Sequence, residues 1–475
     1  MKHSLSQVER APIHQLIEQA PYLVAIVQEI TQAGGQAFLV GGAVRDFLLG
    51  GALKDIDIEV HGIQLEDLKN ILQKNTDQQG SVNFVGKSFG VFKVRNSGSP
   101  FEVDWSLPRT DSAGRKPDVA IDPNMGIEKA LARRDLTINA LAIDLATYEL
   151  HDPFGGRADL EKKLLRCPDE RFFIEDPLRF YRVMQFVGRF AMEPDQQLHD
   201  LCKKMDISTV SRERIEEEFK KLFLKASQPS RGIRWLHKLG RLQEILPEVA
   251  ATVGVEQTPI WHPEGDVFQH TMQVLDAAAD IRSRIKNEQG KIILMYAALC
   301  HDLGKTESTR VLADGKIVSR GHADTGVPLT KSLLARLCGH KKTIQTVAKL
   351  TKYHMEPGSF IKNNARVAAY KRLALKLAPE TTLQMLAWLC EADKRGRNGK
   401  GDVPLPGPIE FVEKFVAKAR EFGILHGPEE AILKGEHILD AVKPGPQLGR
   451  LLKKAYEIQI NEGIRDVDTL KKRII

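Results

Sequence analysis

The segment Asp55-Ile56-Asp57-Ile58 alternates acidic and aliphatic residues, and a period of two belongs to an extended strand with unlike faces. Asp55 and Asp57 then share one side, and the isoleucines share the other. It follows a glycine pair in Phe38-Leu39-Val40-Gly41-Gly42-Ala43-Val44-Arg45-Asp46. Two adjacent carboxylates repel each other unless a cation lies between them, and hard oxygen ligands suit Mg²⁺. A Mg²⁺ held there could bridge a nucleoside triphosphate and an attacking hydroxyl, the geometry of metal-assisted phosphoryl transfer. A solvated strand edge is the plain alternative, and the upstream Gly-Gly turn argues against it.

A chain of 475 residues exceeds one ordinary core, so two to four domains are expected. At 42% hydrophobic and 28% charged it reads as a soluble globular protein. The net charge of +7 is compatible with a polyanionic partner without demanding one. Five cysteines, at 167, 202, 300, 338 and 390, form no C-x-x-C pair and read as reduced, buried thiols. No apolar run reaches membrane-spanning length and no signal-peptide pattern opens the chain, so no membrane association and a cytoplasmic location are expected.

Residues 1–30 carry apolar residues at helical spacing and read as a helical extension. Strand-like runs follow at 37–40, 56–60, 91–94, 101–105 and 141–145, with helical patterns between them, so residues 31–156 form a mixed α/β head. Asp152-Pro153-Phe154-Gly155-Gly156 is a turn cluster and a boundary. From 157 onward the period is 3.6, which predicts an all-helical remainder. We divide it into a neck at 157–245, a domain at 246–398 and a C-terminal region at 399–475, the last opening on the Pro/Gly-rich stretch 399–408.

Four segments converge on one chemistry. Gly41-Gly42 lets backbone N–H groups approach a triphosphate, and Arg45 can neutralise phosphate. Asp55 and Asp57 supply metal ligands. Arg133-Arg134-Asp135-Leu136-Thr137-Ile138-Asn139-Ala140 joins two guanidiniums to an Asp and an Asn four apart, which share a face if helical. Glu175-Asp176-Pro177-Leu178-Arg179-Phe180-Tyr181-Arg182 reads as a helix capped by Asp176 with Pro177 at its first position. Asp176, Arg179 and Arg182 would lie on one broad face, able to pair with the edge of a base.

In this order the segments resemble the bacterial class II tRNA nucleotidyltransferase and poly(A) polymerase family. The resemblance implies an α/β nucleotidyltransferase head followed by an all-helical body. It implies Mg²⁺ on Asp55 and Asp57, with Gly42, Arg45 and Arg134 at the triphosphate and sugar and Asn139 positioning the nucleotide. Asp176 and Arg179 would select CTP or ATP by base-edge hydrogen bonds, and Arg182 would support the phosphates. Gln185 stands where many members carry a further arginine, and Glu102 and Asp104 in Phe101–Trp105 leave a third carboxylate open. The stretch Val85–Val94 looks like the CCA-adding branch, and the polar loop Arg109–Met125, with Arg115 and Lys116, fits full CCA addition to tRNA.

A second constellation lies downstream: His270, the pair His301-Asp302 at the end of an apolar helix that Gly304 can cap, and Asp393. Mixed nitrogen and oxygen donors on packed helices suit a divalent transition metal. Their order resembles the HD phosphohydrolase domain, whose two-metal members carry extra histidines such as His322 and His354. That resemblance implies phosphatase or 2′,3′-cyclic phosphodiesterase activity, or else a relic domain kept for RNA binding. A last feature, Val442–Arg450, turns through Gly and Pro into a helix with Arg450, Lys453 and Lys454, fit to receive an RNA phosphate or simply to face water.

The reading is a CCA-adding tRNA nucleotidyltransferase using CTP and ATP. Its alternatives are a CC- or A-adding specialist or poly(A) polymerase, an HD phosphohydrolase with a non-catalytic nucleotide-binding head, and a non-catalytic RNA-binding protein.

Overall fold

The computed structural model describes every residue except Met1, Ser6, 52–54, 86–89 and 112–118. Lys54, Gly86–Phe89 of the Val85–Val94 stretch assigned to the CCA-adding branch, and Arg115 and Lys116 therefore lie outside the described residues. The chain divides into two compact units, Met1–Ser211 and Arg212–Ile475.

The first unit is built on strands β1 (Lys2–Ser4), β2 (Gln36–Val40), β3 (Ile56–His61), β4 (Ser81–Val85), β5 (Val91–Arg95), β6 (Glu102–Ser106), β7 (Arg109–Asp111), β8 (Val119–Ile121), β9 (Ala142–Asp144) and β10 (Glu149–His151). Eight of them form one sheet in the order β1-β10-β9-β2-β3-β6-β5-β4. Of its neighbouring pairs only β3 and β6 run parallel. The helices are α1 (Gln7–Gln19), α2 (Tyr22–Gln32), α3 (Gly42–Leu48), α4 (Leu65–Lys74), α5 (Ile127–Ala132), α6 (Gly156–Lys162), α7 (Glu170–Glu175) and α8 (Leu178–Phe190), with further short elements beyond.

Alternation along β3 buries Ile56, Ile58 and Val60. On α2 the buried stripe is Leu23, Ile26, Val27 and Ile30, and on α4 it is Leu68 and Leu72; α2 packs on β2 and on α4. A separate apolar cluster joins Phe38 and Val40 of β2 to Leu131, Ala140 and Ala142. Because neighbouring residues on a strand face opposite ways, β3 turns its acidic residues away from its buried aliphatics.

Three expectations need correction. The N-terminal extension is not purely helical, since Lys2–Ser4 pairs antiparallel with β10; three backbone-paired residues leave no periodic signal. The edge strand β4 had been passed over because its side chains are largely exposed and carry no apolar alternation. The region after 156 is not wholly helical: Leu164–Leu165 pairs with Glu193–Pro194, and Thr309–Val311 with Ile317–Ser319.

The second unit carries the helices Val267–Ile281, Glu288–Cys300, His322–Leu337, Lys341–Tyr353 and Leu383–Arg395. The stretch 399–408 lies outside helices and strands. Near the C-terminus Leu433, Ile438, Ala455, Leu470 and Ile474 make an apolar cluster of their own. Among the described residues no helix is long and apolar enough to cross a membrane.

Candidate functional site

In the first unit the chain leaves β2 through Gly41, whose φ is +68°. That left-handed backbone favours glycine. A Cβ there would also meet the Arg134 guanidinium nitrogen Nη1 at 2.6 Å, so the turn and Arg134 touch. Asp55 immediately precedes β3, and Asp57 is on it. The parallel register sets Asp57 beside Asp104 of β6. Burial, with the charges of Asp104 and Asp55, pushes the Asp57 carboxyl above its ordinary value against the pull of Arg134. Asp57 is nonetheless open to solvent. The Lys93 ammonium lies 3.1 Å from Asp104 and 3.2 Å from Glu102. Three carboxylates whose charges meet at Asp57 are a fitting donor set for a hard dication.

A hydrogen-bonded chain connects the remaining motifs. Arg45 Nη1 donates to Asn139 Oδ1 at 2.6 Å. Asn139 Nδ2 donates to Asp135 at 2.9 Å, and Arg182 Nε donates to the other Asp135 oxygen at 2.6 Å. Burial works against an ionised Asp135; Arg182 and Asn139 outweigh it and hold the carboxyl below its ordinary value. Arg45 is itself buried, stacked on Phe190 at 4.7 Å and bonded through Nε to Asp46 at 2.8 Å. Arg179 donates to the carbonyls of Phe172 and Arg133 at 2.5 and 2.6 Å.

The local structure departs from expectation twice here. Asp135 and Asn139 do not share an α-helix: Leu136 is extended and Thr137–Asn139 is a single 3₁₀ turn, which brings the two side chains together by another route. Asp176 ends α7, and Pro177 takes the cap position of α8, although Asp176 Oδ1 still accepts from Leu178 N–H at 3.2 Å. Gln185 is buried. Sequence reasoning gave no role to Asp135 or Glu59 and left Asp104 open; for Asp104 the acid–aliphatic alternation of 102–105 was the available signal.

In the second unit His270 (on Val267–Ile281), His301 and Asp302 (after Glu288–Cys300) and Asp393 (on Leu383–Arg395) meet. All four are buried. His270 Nε2 is 3.1 Å from Asp393, 3.6 Å from Asp302 Oδ2 and 3.3 Å from His301 Nε2. His322 and His354 join them, their Nε2 atoms 3.2 Å apart and 3.4 and 3.7 Å from Asp302 Oδ1. One Asp302 oxygen thus serves each histidine pair.

The ring orientations fit metal ligation. The Nδ1 atoms of His301, His322 and His354 lie 2.9, 2.8 and 2.6 Å from the carbonyls of Ala298, Ser319 and Thr351. An Nδ1–H donated to a carbonyl leaves the Nε2 lone pair aimed inward. Nitrogens 3.2–3.3 Å apart match the edge of a tetrahedron with metal–nitrogen bonds of about 2.0–2.1 Å. Burial pushes His354 down to about 3 and His262 down to about 4, which favours the neutral imidazole, for His354 the form able to ligate a metal. Burial opposes ionisation of Asp302 and Asp393, yet Lys305 and His301 hold the former, and Arg397 and Lys394 the latter, well below the carboxylate range.

Sequence reasoning missed Glu264, which is 2.7 Å from His270 Nδ1 and 2.9 Å from His262 Nδ1. It orients His270 from behind. Gly304 does not cap the Glu288–Cys300 helix, whose cap is His301. A Cβ on Gly304 would lie 2.0 Å from the His322 carbonyl, so this glycine is there for close packing.

Comparison with known proteins agrees with both domains. The "Poly A polymerase head domain" model matches residues 37–166, the "Probable RNA and SrmB-binding site of polymerase A" model matches 192–252, and the "HD domain" model matches 267–390. A multifunctional CCA protein of Pasteurella multocida is 34% identical over 82% of this chain and 90% of its own length. The Bacillus stearothermophilus CCA-adding enzyme, solved with CTP, shares the fold with a TM-score of 0.66 at 19% identity, covering 96% of this chain and 97% of that one. The Thermotoga maritima CCA-adding enzyme, solved with tRNA, does so with a TM-score of 0.60 at 18% identity, covering 100% and 98%. A polymerase head with paired carboxylates, an HD centre in a helical body and a relative this similar across both place the chain in the family of multifunctional CCA proteins, nucleotidyltransferases with a fused HD domain.

Proposed function

We propose that the protein adds CMP, CMP and AMP in turn to the 3′ end of tRNA, without a nucleic-acid template and with release of pyrophosphate. The observation that carries this reading is the meeting of Asp55, Asp57 and Asp104 with the Gly41 turn and Arg134 in one unit. Asp55 and Asp57, with Asp104 alongside, would hold Mg²⁺, which when bound polarises phosphate and favours the ionised 3′-hydroxyl. The Gly41-Gly42 turn would present the first N–H groups of α3 to the triphosphate, Gly41 N–H itself being donated to the Leu141 carbonyl at 3.2 Å. Arg134 neutralises it, and Arg45, aligned by Asn139, serves the nucleotide from the side. Asp135 holds Arg182 where it can support phosphate.

Asp176 and Arg179 present an acceptor and a forked donor for the base edge. Arg179 has five N–H groups in all, so the bonds to two carbonyls fix its plane and leave donors over. Residues 31–156 serve as the head, 157–245 as the nucleotide-selecting neck, 246–398 as the HD domain and 399–475 as a tRNA-binding region. RNA is recognised through backbone and shape, in the cytoplasm, where the thiols stay reduced.

The HD centre acts as a phosphohydrolase on RNA 3′ ends. Asp302, with one oxygen at each histidine pair, supports a two-metal version using divalent transition ions.

The test incubates purified protein and Mg²⁺ with tRNA lacking its last three nucleotides, with CTP, ATP or both, and sequences the products. Addition of C-C-A followed by arrest is expected. Arrest at C-C with both nucleotides marks a CC-adding specialist, and long A tails a poly(A) polymerase. No addition, even to tRNA already ending in C-C, overturns the transferase reading in favour of the HD hydrolase.

A further inference from the structure

We infer that Glu59, on the same strand as the metal-binding aspartates, is a positioning residue that presents Arg134 to the triphosphate of the incoming nucleotide. The inference rests on the nucleotidyl-transfer reading of the head.

On β3, Asp57, Glu59 and His61 point to one face. Glu59 is largely withdrawn from water, its side chain 13% exposed, while Arg134 beside it is 26% exposed. Its two oxygens have different tasks. Oε2 accepts from Arg134 Nη2 at 3.4 Å, and Oε1 lies 3.1 Å from His61 Nε2. His61 is itself fixed, with Nδ1 2.7 Å from the Met125 carbonyl and its ring edge-on to Phe38 at 5.3 Å. The loop carrying Met125 is pinned by Gly62 N–H donating to the Pro123 carbonyl at 2.7 Å. A chain of contacts therefore runs from the sheet core through His61 and Glu59 to one nitrogen of Arg134.

The other terminal nitrogen, Nη1, is the atom nearest to where a Gly41 Cβ would stand, at 2.6 Å. Arg134 is thus held by one prong and presents the second over the turn that faces the triphosphate. A carboxylate placed only to fill the core would be served by His61 alone. A flexible arginine loses less freedom on binding an anion when its plane is already set.

The triphosphate is common to CTP and ATP, so Glu59 must act on both alike, unlike any residue that reads the base. Steady-state kinetics would use CTP with tRNA lacking three nucleotides and ATP with tRNA ending in C-C, for the wild type, E59A, E59Q, R134A and E59A/R134A. E59A should raise KM for both nucleotides equally, by about tenfold, the scale of one misplaced charged hydrogen bond, with kcat nearly unchanged. E59Q, which keeps an oxygen for Arg134, should recover most of that loss. The double variant should be no worse than R134A, because Glu59 acts only through that side chain. Where E59A folds poorly by thermal melt, E59Q and E59Q/R134A make the same cycle.

Additive losses in the double variant, an effect on one nucleotide only, or a fall in kcat at unchanged KM would overturn the inference. So would an R134A protein with normal KM. In each of those cases the wild type still adds nucleotides and the transferase reading stands; only a wild type that adds none removes both.

Discussion

Gly41 answers two demands at one residue, a left-handed backbone and contact with Arg134. Alanine there costs about 1 kcal/mol or more of backbone strain, and its methyl displaces the arginine as well. Gly41→Ala should therefore cut nucleotide addition far more than it lowers the melting temperature, and paired activity assays and melts will show the gap. A different residue governs pH dependence. Asp276 is buried, accepting from Ser230 N–H at 3.0 Å and Ser230 Oγ–H at 2.6 Å, and burial pushes its carboxyl up to about 6. Its folded value exceeds the unfolded one, so the native state binds the extra proton. Stability should fall as pH rises from about 4 to about 6 and then level off. Asp276→Asn removes that loss, and denaturation curves at pH 5 and pH 8 should show a gain at pH 8 of roughly 1–3 kcal/mol.

At the scale of elements, the pairing of β3 with β6 is what adds Asp104 to the aspartate pair. A slip of one residue would turn every side chain of β6 to the wrong face. Asp104→Asn keeps shape and hydrogen bonding but drops a charge. It should reduce addition by about 10²-fold or more, the scale of a lost electrostatic partner at a reacting centre, without shifting the melt. Gly304 is the close-packed point that plays a comparable part in the second unit. Gly304→Ala pushes on the start of His322–Leu337 and should lower bound transition metal, read by elemental analysis of the purified protein, with His322 drawn from its place.

How much of this was legible follows from what leaves a periodic trace. β3 was readable because its apolar residues are buried alternately; β4 was not, because an exposed edge strand needs no such pattern. His301 and Asp302 were readable as adjacent donors, whereas Glu264 acts from a loop six residues before His270. Asp135 stood inside a quoted motif, yet its task became visible only when α8 brought Arg182 to it.

For the whole molecule, the two proposed chemistries would belong to two compact units, and each should fail alone. Asp55→Ala with Asp57→Ala should abolish nucleotide addition while hydrolysis of a 2′,3′-cyclic phosphate by the HD centre persists; Asp302→Ala should do the reverse, checked by running both assays on each protein. The acidic groups of both centres also share a habit. Asp104 has Lys93 at 3.1 Å, Asp302 has Lys305 at 2.7 Å, and Asp393 has Arg397 at 3.0 Å. Each such carboxylate is already provided with a side-chain counter-ion from within its own unit. In metal-nucleated domains the ion is what makes the chain fold. Here Asp104, Asp302 and Asp393 each lie beside a tethered cation, so part of the charge that a bound ion would balance is already balanced from within the chain.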